Sequence, residues 1–215
     1  MKHAFRITWW SLRDTYEELF VLIGANLLAL LLLIPIVTAP PALAGLHYLG
    51  FHIANEKRIE FSYFWEGFRA HFLDSWKLAA VNIFVFGILG LDIWFYLSKV
   101  EGAWRALGFV GAWILLIWTL AQLYTFPLLV RQKESNLFLL LKNAVLLTLA
   151  YPTFSLTAGI LLLLVLALSL LFPVVFFLAG LSFTAVTGAH ALRHGIEMVE
   201  AYQTRQREEN EDQDD

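Results

Sequence analysis

The sequence contains no cysteine in its 215 residues. Disulfides, thiolate metal sites and cysteine nucleophiles are therefore excluded, and the redox compartment leaves no mark on the chain. Charge is scarce as well: 15% of residues are charged, against 59% hydrophobic. That balance, drawn into long apolar stretches between charged turns, marks membrane spans rather than a soluble domain. Also missing are a glycine-rich phosphate loop, a Ser–His–Asp arrangement and a basic tract for nucleic acid. No catalytic residue, cofactor site or metal site has a motif behind it. The expectation is a non-enzymatic protein with no cofactor and no nucleic-acid partner.

What charge there is lies unevenly. The formal net charge is −3, but the stretch Arg207 to Asp215 alone holds six acids and one base, and without it 14 bases face 12 acids. Residues 198–215 have little to bind them to a core, which predicts a disordered, solvated tail. At the other end, Lys2, Arg6 and Arg13 alternate with Phe5, Trp9, Trp10 and Tyr16. Aromatics with bases suit the headgroup layer, so residues 3–18 are expected to form an interfacial helix. The acids and the tryptophans in the first segment do not fit a cleavable signal, and it is expected to be retained.

The chain is organised around residues 26–48, where an apolar run reaches Pro35, turns through Thr38 to Pro41 and restarts. This predicts a helical hairpin with a first span over 19–37 and a second over 40–55. Pro35 is expected in the last turn of the first helix, and Pro40 and Pro41 in the first turn of the second, where a missing N–H costs least. The second segment is short: about 15 residues rise only about 22 Å, against a hydrocarbon core of about 30 Å. It reads as a short span or as a re-entrant segment, which leaves six spans or five. Further spans are expected over 78–98, 105–130, 153–172 and 174–194, with a tight break at Pro173. Between them, Phe61, Phe64, Trp65, Phe68, Phe72 and Trp76 recur at helical spacing, which predicts an amphipathic interfacial helix over 61–77. Such a helix either lies in the headgroup plane or caps the bundle. A second interfacial helix is expected over 136–151. The fold class is thus all-α: a polytopic membrane bundle of about six spans plus interfacial helices.

With the N-terminus inside, 13 of the 15 bases fall inside and only Lys99 and Arg105 outside. This asymmetry puts both termini in the cytoplasm. A weak repeat is also visible, as span, charged turn, interfacial helix and span recur, but residue identities match too poorly for an inverted transporter repeat.

Several of these stretches resemble the YesL-like family of bacterial multi-pass membrane proteins. The resemblance rests on Asn26-Leu27-Leu28, on Pro35-Ile36-Val37-Thr38 followed by Pro41-Ala42-Leu43-Ala44, on the aromatic stretch Phe61 to Phe72, and on Leu141-Lys142-Asn143-Ala144 with Pro152. It covers nearly the whole chain in order. Ala29 stands where members often carry Trp, and Gly45 where Ala is usual. The resemblance implies a bacterial plasma-membrane protein linked with carbohydrate utilisation, a family turn motif at Asn26, Pro35, Thr38 and Pro41, and no catalytic residues.

The candidate site residues follow from depth and polarity. Asp92 is the acid well inside a span, and ionisable groups at that depth are costly. It lies six residues before Ser98, about 9 Å from the outer end. A rim ion pair with Lys99 or Arg105 is expected, with a transport or relay role as the alternative. Asn26, Asn82 and Gln122 are expected to make interhelical hydrogen bonds, the alternative being a polar path. Thr38 is expected to cap the second helix or to bond the turn backbone. His190, His194 and Glu197 share a helix face but lack the zinc-protease pattern, and they read as interfacial. Gly180, Thr184 and Gly188 form a small-residue stripe for close packing. Phe64, Trp65, Phe68, Arg69, Trp76 and Lys77 are the expected partner-docking residues. The function expected is that of an accessory or regulatory membrane protein, whose partners are the lipid bilayer and membrane proteins such as a carbohydrate transporter or sensor. The alternative is a small transporter or channel.

Overall fold

The computed structural model describes residues 18–55, 60–132, 136–171 and 180–214. The expected interfacial helix over 3–18, the break at Pro173 and the start of the segment 174–194 lie essentially outside the described residues. Within them the chain is all-helical. The α-helices are α1 (Leu19–Leu33), α2 (Ala39–Ala54), α3 (Ser62–Ala70), α4 (Phe72–Lys99), α5 (Ala106–Arg131), α6 (Leu137–Ala150), α7 (Pro152–Leu171) and α8 (Leu181–Asp214). Short 3-10 turns at Ile36–Thr38 and Gly102–Arg105 join α1 to α2 and α4 to α5.

The first hairpin turns earlier than its apolar run suggests. Helix α1 ends at Leu33, and Pro35 is extended at φ −77°, ψ 116°, outside the helix. Proline has no N–H to continue the ladder, and the Ile34 N–H turns back to Leu31 O instead. Thr38 closes the turn by donating its hydroxyl to Leu32 O at 2.6 Å and Pro35 O at 3.0 Å. It makes no side-chain cap to α2, which carries Pro40 and Pro41 in its first turn. At 15 residues α1 rises about 22 Å, short of a full hydrocarbon core.

The stretch 61–77 is not one helix. His71 breaks it at φ −110°, ψ 18°, and Phe72 to Lys77 open the long helix α4. The aromatic face of α3 is turned inward. Phe64 is fully buried with Leu22, Leu46, Leu49 and Ile53, while Tyr63, Trp65 and Phe68 pack on that core. Glycines permit the approach: a Cβ on Gly45 would lie 2.7 Å from Phe64 O, and one on Gly67 would strike Tyr48. The face therefore caps the bundle.

Helices α4 and α5 form a second hairpin that runs out beyond this body. Leu78, Tyr124, Leu128 and Leu129 belong to the core with Leu140 and Ala144 of α6 and Leu192 of α8. Farther along, Ile83, Phe84, Trp94, Phe109 and Trp113 are exposed. Only 6% of the most apolar stretch of α4 is buried, so its partner there is lipid or another protein. Two helices, Phe72–Lys99 and Gly102–Arg131, are long and apolar enough to cross a membrane. The bent pair α6–α7, folded by 100° around Tyr151, makes a third if it is one broken span. Among the described residues the protein is thus helical, with two or three helices fit to span a bilayer.

Helix α8 packs across α2 and α5. A Cβ on Gly50 of α2 would lie 2.7 Å from Ala185 O, and one on Gly188 would lie 3.0 Å from the ring of Pro127. The helix then continues to Asp214, through the stretch expected to be disordered. Glu, Gln and Arg are strong helix formers and no Gly or Pro follows Gly195, so helix propensity carries on where core contacts stop. Close packing at Gly50 yields a paired prediction. Gly50→Ala should lower unfolding stability in detergent by about 1–3 kcal/mol through overpacking. Gly87→Ala, which meets open space on α4, should be neutral or stabilise by up to about 1 kcal/mol. Equal effects of the two in thermal unfolding would show that the α2–α8 contact is not tight.

Candidate functional site

Polar groups are few in this body, so each can be followed to its partner. Asn26, fully buried on α1, accepts hydrogen bonds through Oδ1 from the backbone N–H groups of Leu181 and Ser182, both at 3.0 Å. These donors stand in the first turn described for α8. An asparagine on another helix, 155 residues earlier, ties that turn to α1. Ser182 adds a bond from its hydroxyl to Leu22 O at 3.1 Å.

A second set ties α4 to α5. The Trp118 indole donates to Asn82 Oδ1 at 3.1 Å, and Gln122 Nε2 donates to Trp118 O at 3.2 Å. Thr125 Oγ1 donates to Gln122 Oε1 at 3.2 Å. Of these bonds only that between Trp118 and Asn82 crosses between the helices; Gln122, expected to bond another helix, bonds within α5 instead. The Tyr124 hydroxyl, buried against Ser155 at 2.8 Å, ties α5 to α7. Sequence reading passed over this pair, because serine and tyrosine are common in apolar helices.

Asp92 is held differently. Its Oδ2 occupies the space where a side chain of residue 111 would stand: a Cβ on Gly111 would lie 2.5 Å from it. Among the described residues, neither Lys99 nor Arg105 comes within ion-pair distance of Asp92. Lys99 lies over the Trp94 ring at 5.6 Å instead. The expected rim ion pair is therefore absent. The rise of α4 carries Lys99 away from Asp92, and Trp94 holds it there. Gly111 was not singled out from the sequence, although a glycine facing an acid across a hairpin is the signal that would have found it.

The expected docking residues divide. Phe64 is in the core and is closed to a partner; Trp65 and Phe68 are half-buried on the same core. Trp76 donates its indole N–H to Val37 O at 2.8 Å and so joins α4 to the tip of the first hairpin. Only Arg69 and Lys77 are exposed, and Lys77 pairs with Asp74 at 2.8 Å. Beside them a cleft of about 190 Å³ is lined by His71, Asp74, Lys77, Gln132, Asn136 and Leu140 among others. Burial lowers the His71 pKa from its usual 6.5, and the nearby Asp74 partly offsets this. Asn136 is occupied in capping α6, accepting from Leu139 N at 3.0 Å.

Of the expected turn motif, Pro35 is exposed at the tip, Pro41 is buried in the first turn of α2, Thr38 bonds the turn and Asn26 bonds α8. These four residues build the hairpin and its junction; they do not converge on one pocket. His194 approaches Glu197 at 3.8 Å, and among the described residues no group of three His, Asp or Glu is placed to hold a metal. Gly188 faces Pro127 and His47 within the chain. No family model, no curated protein and no solved structure matches this chain.

The Asn26 bond to α8 gives a direct prediction. Asn26→Leu removes the acceptor from these two N–H groups and should cost about 1–3 kcal/mol in detergent unfolding. Asn26→Asp keeps an acceptor and should retain more stability than Asn26→Leu. If both variants unfold like wild type, the bond does not hold α8.

Proposed function

We propose that the protein is an accessory or regulatory membrane protein that acts by binding partners, with its helical body at the cytoplasmic face of a bacterial plasma membrane. One observation carries this reading. The α4–α5 hairpin leaves the body as an exposed apolar pair whose Asn82 and Gln122 are bonded within the pair, and the exposed charges Arg69 and Lys77 gather at its base. A hairpin whose Asn82 and Gln122 are bonded within it is suited to anchoring and to helix-helix contact. The resemblance to the YesL-like family adds a carbohydrate uptake or sensing system as the partner's context. The lone Asp92 carboxylate favours a second reading, a small transporter or channel, since intramembrane acids often mark such pathways.

The topology we propose departs from six full spans. Six spans would put Val37 and Trp76 on opposite faces of the membrane, yet the two share a hydrogen bond. This supports a shallower α1–α2 hairpin that enters and leaves on the body side, with α4 and α5 crossing fully. The 22 residues from Lys77 to Lys99 rise about 33 Å, close to the thickness of a hydrocarbon core. The excess of bases at the body end supports a cytoplasmic placement of that end and of both termini. In this cysteine-free chain, a cysteine at Gly102 should react with an impermeant maleimide applied to intact cells, and one at Val37 should not. Labelling at Val37 from outside would restore six spans, and labelling of Gly102 only from the cytoplasmic side would invert the orientation.

Function is tested by gentle purification with membrane neighbours beside reconstitution alone in liposomes. A reproducible partner should co-purify and be lost on charge reversal at Arg69 and Lys77. Saturable flux of a sugar or ion from the protein alone, with no partner, would establish the transporter reading instead.

A further inference from the structure

Asp92 stands in the outer part of α4, about 10 Å along the helix from Lys99 by helical rise, and is half-buried in a notch that the missing side chain of Gly111 leaves between α4 and α5. Neighbouring Leu91 and Phe95 are exposed at 67% and 50%, so the notch opens on a face that no described helix covers. A carboxylate at this depth is costly unless it meets a cation, and acids inside membranes are found paired. No described Lys, Arg or His comes within ion-pair distance of it. A second copy of the hairpin carries no base within residues 78–98 and 106–130, only Lys99 and Arg105 at its closed end, and it would bring another Asp92 to the same depth.

We infer that Asp92 pairs with the Lys or Arg side chain of a partner protein's transmembrane helix, laid along the exposed face of the α4–α5 hairpin. The inference rests on the partner-binding reading and gives that partner a chemistry. Gly111 leaves room for the carboxylate itself against α5, the half-buried Asp92 keeps part of its surface open to an incoming cation, and the exposed apolar side chains on either side provide the helix contact.

The test uses the purified full chain in phosphatidylcholine liposomes, labelled on a cysteine introduced at Gly102. Energy transfer is read to a polyleucine helix carrying one lysine about a third of the way in, and to its all-leucine counterpart. Wild type should bind the lysine helix roughly tenfold more tightly than the all-leucine helix, the scale of one polar contact between membrane helices. Asp92→Asn should abolish the preference and Asp92→Glu should keep it. Equal binding of the two peptides to wild type, or a preference that survives Asp92→Asn in a folded variant, would overturn the inference. So would Asp92-dependent pairing of two copies that the lysine helix cannot displace, or Asp92-dependent proton flux with no peptide preference. If the peptide preference fails while a partner sensitive to Arg69 and Lys77 still co-purifies, the notch assignment falls and the partner-binding reading stands.

Discussion

The bond between Asn26 and α8 is the constraint on which the body depends. Backbone N–H groups inside an apolar assembly stand where water is scarce, and each unpaired group there is costly. Asn26 resolves this by accepting from Leu181 and Ser182 at 3.0 Å. The bond also fixes the depth of α8 against α1. With that depth set, Gly50 meets Ala185, and Gly188 meets Pro127 and His47, and α8 closes over α2 and α5. Glycines make the crossing possible, but the asparagine selects which turn of α8 is crossed.

The same reasoning explains the two-part shape. In the body, helices approach closely at Gly45, Gly50, Gly67 and Gly188, and buried side chains form two core clusters. Beyond it, α4 and α5 touch each other through Gly108 and Gly111 and are otherwise exposed. Trp76 marks the boundary by holding the hairpin tip at Val37 to the first turns of α4. Below this bond lie most of the charged groups, and above it lies an apolar hairpin closed by Lys99, Glu101 and Arg105. Asp92 is the exception in that upper region, and its place opposite a glycine turns a costly residue into a notch.

Much of the helix pattern was legible in the residues. Apolar runs and their breaks gave α1, α2, α5, α6 and α7 to within a few positions, because Pro35 and Pro152 interrupt the ladder wherever the chain lies. The stretch 61–77 was misread as a single helix. Its aromatics keep helical spacing through the turn at His71, and spacing alone does not register one residue that leaves helical geometry. The docking role of Phe64 failed for a related reason. An amphipathic face looks the same whether it meets lipid, a partner or its own chain, and only Gly45 and Gly67 decide that it meets α2. Of the candidate site, Asn26, Asn82, Asp92 and Gln122 were recognisable as polar residues in apolar runs, but none of their partners was.

The sequence by itself determined that this is a helical chain with stretches apolar enough for a bilayer, where its prolines break the helices, and that its bases are scarce between residues 78 and 130. Those properties are local: they follow from hydrophobicity, from proline's missing N–H and from charge counted along the chain. Tertiary structure alone decided the contact of the first hairpin's tip with Trp76, the burial of the α3 aromatics, the helix that Asn26 bonds and the glycine that Asp92 faces. Lipid and protein interior are both apolar, so hydrophobic pattern does not distinguish them. Contacts between residues as distant as Asn26 and Ser182 are set by where whole helices can approach, and that depends on small residues scattered across the chain.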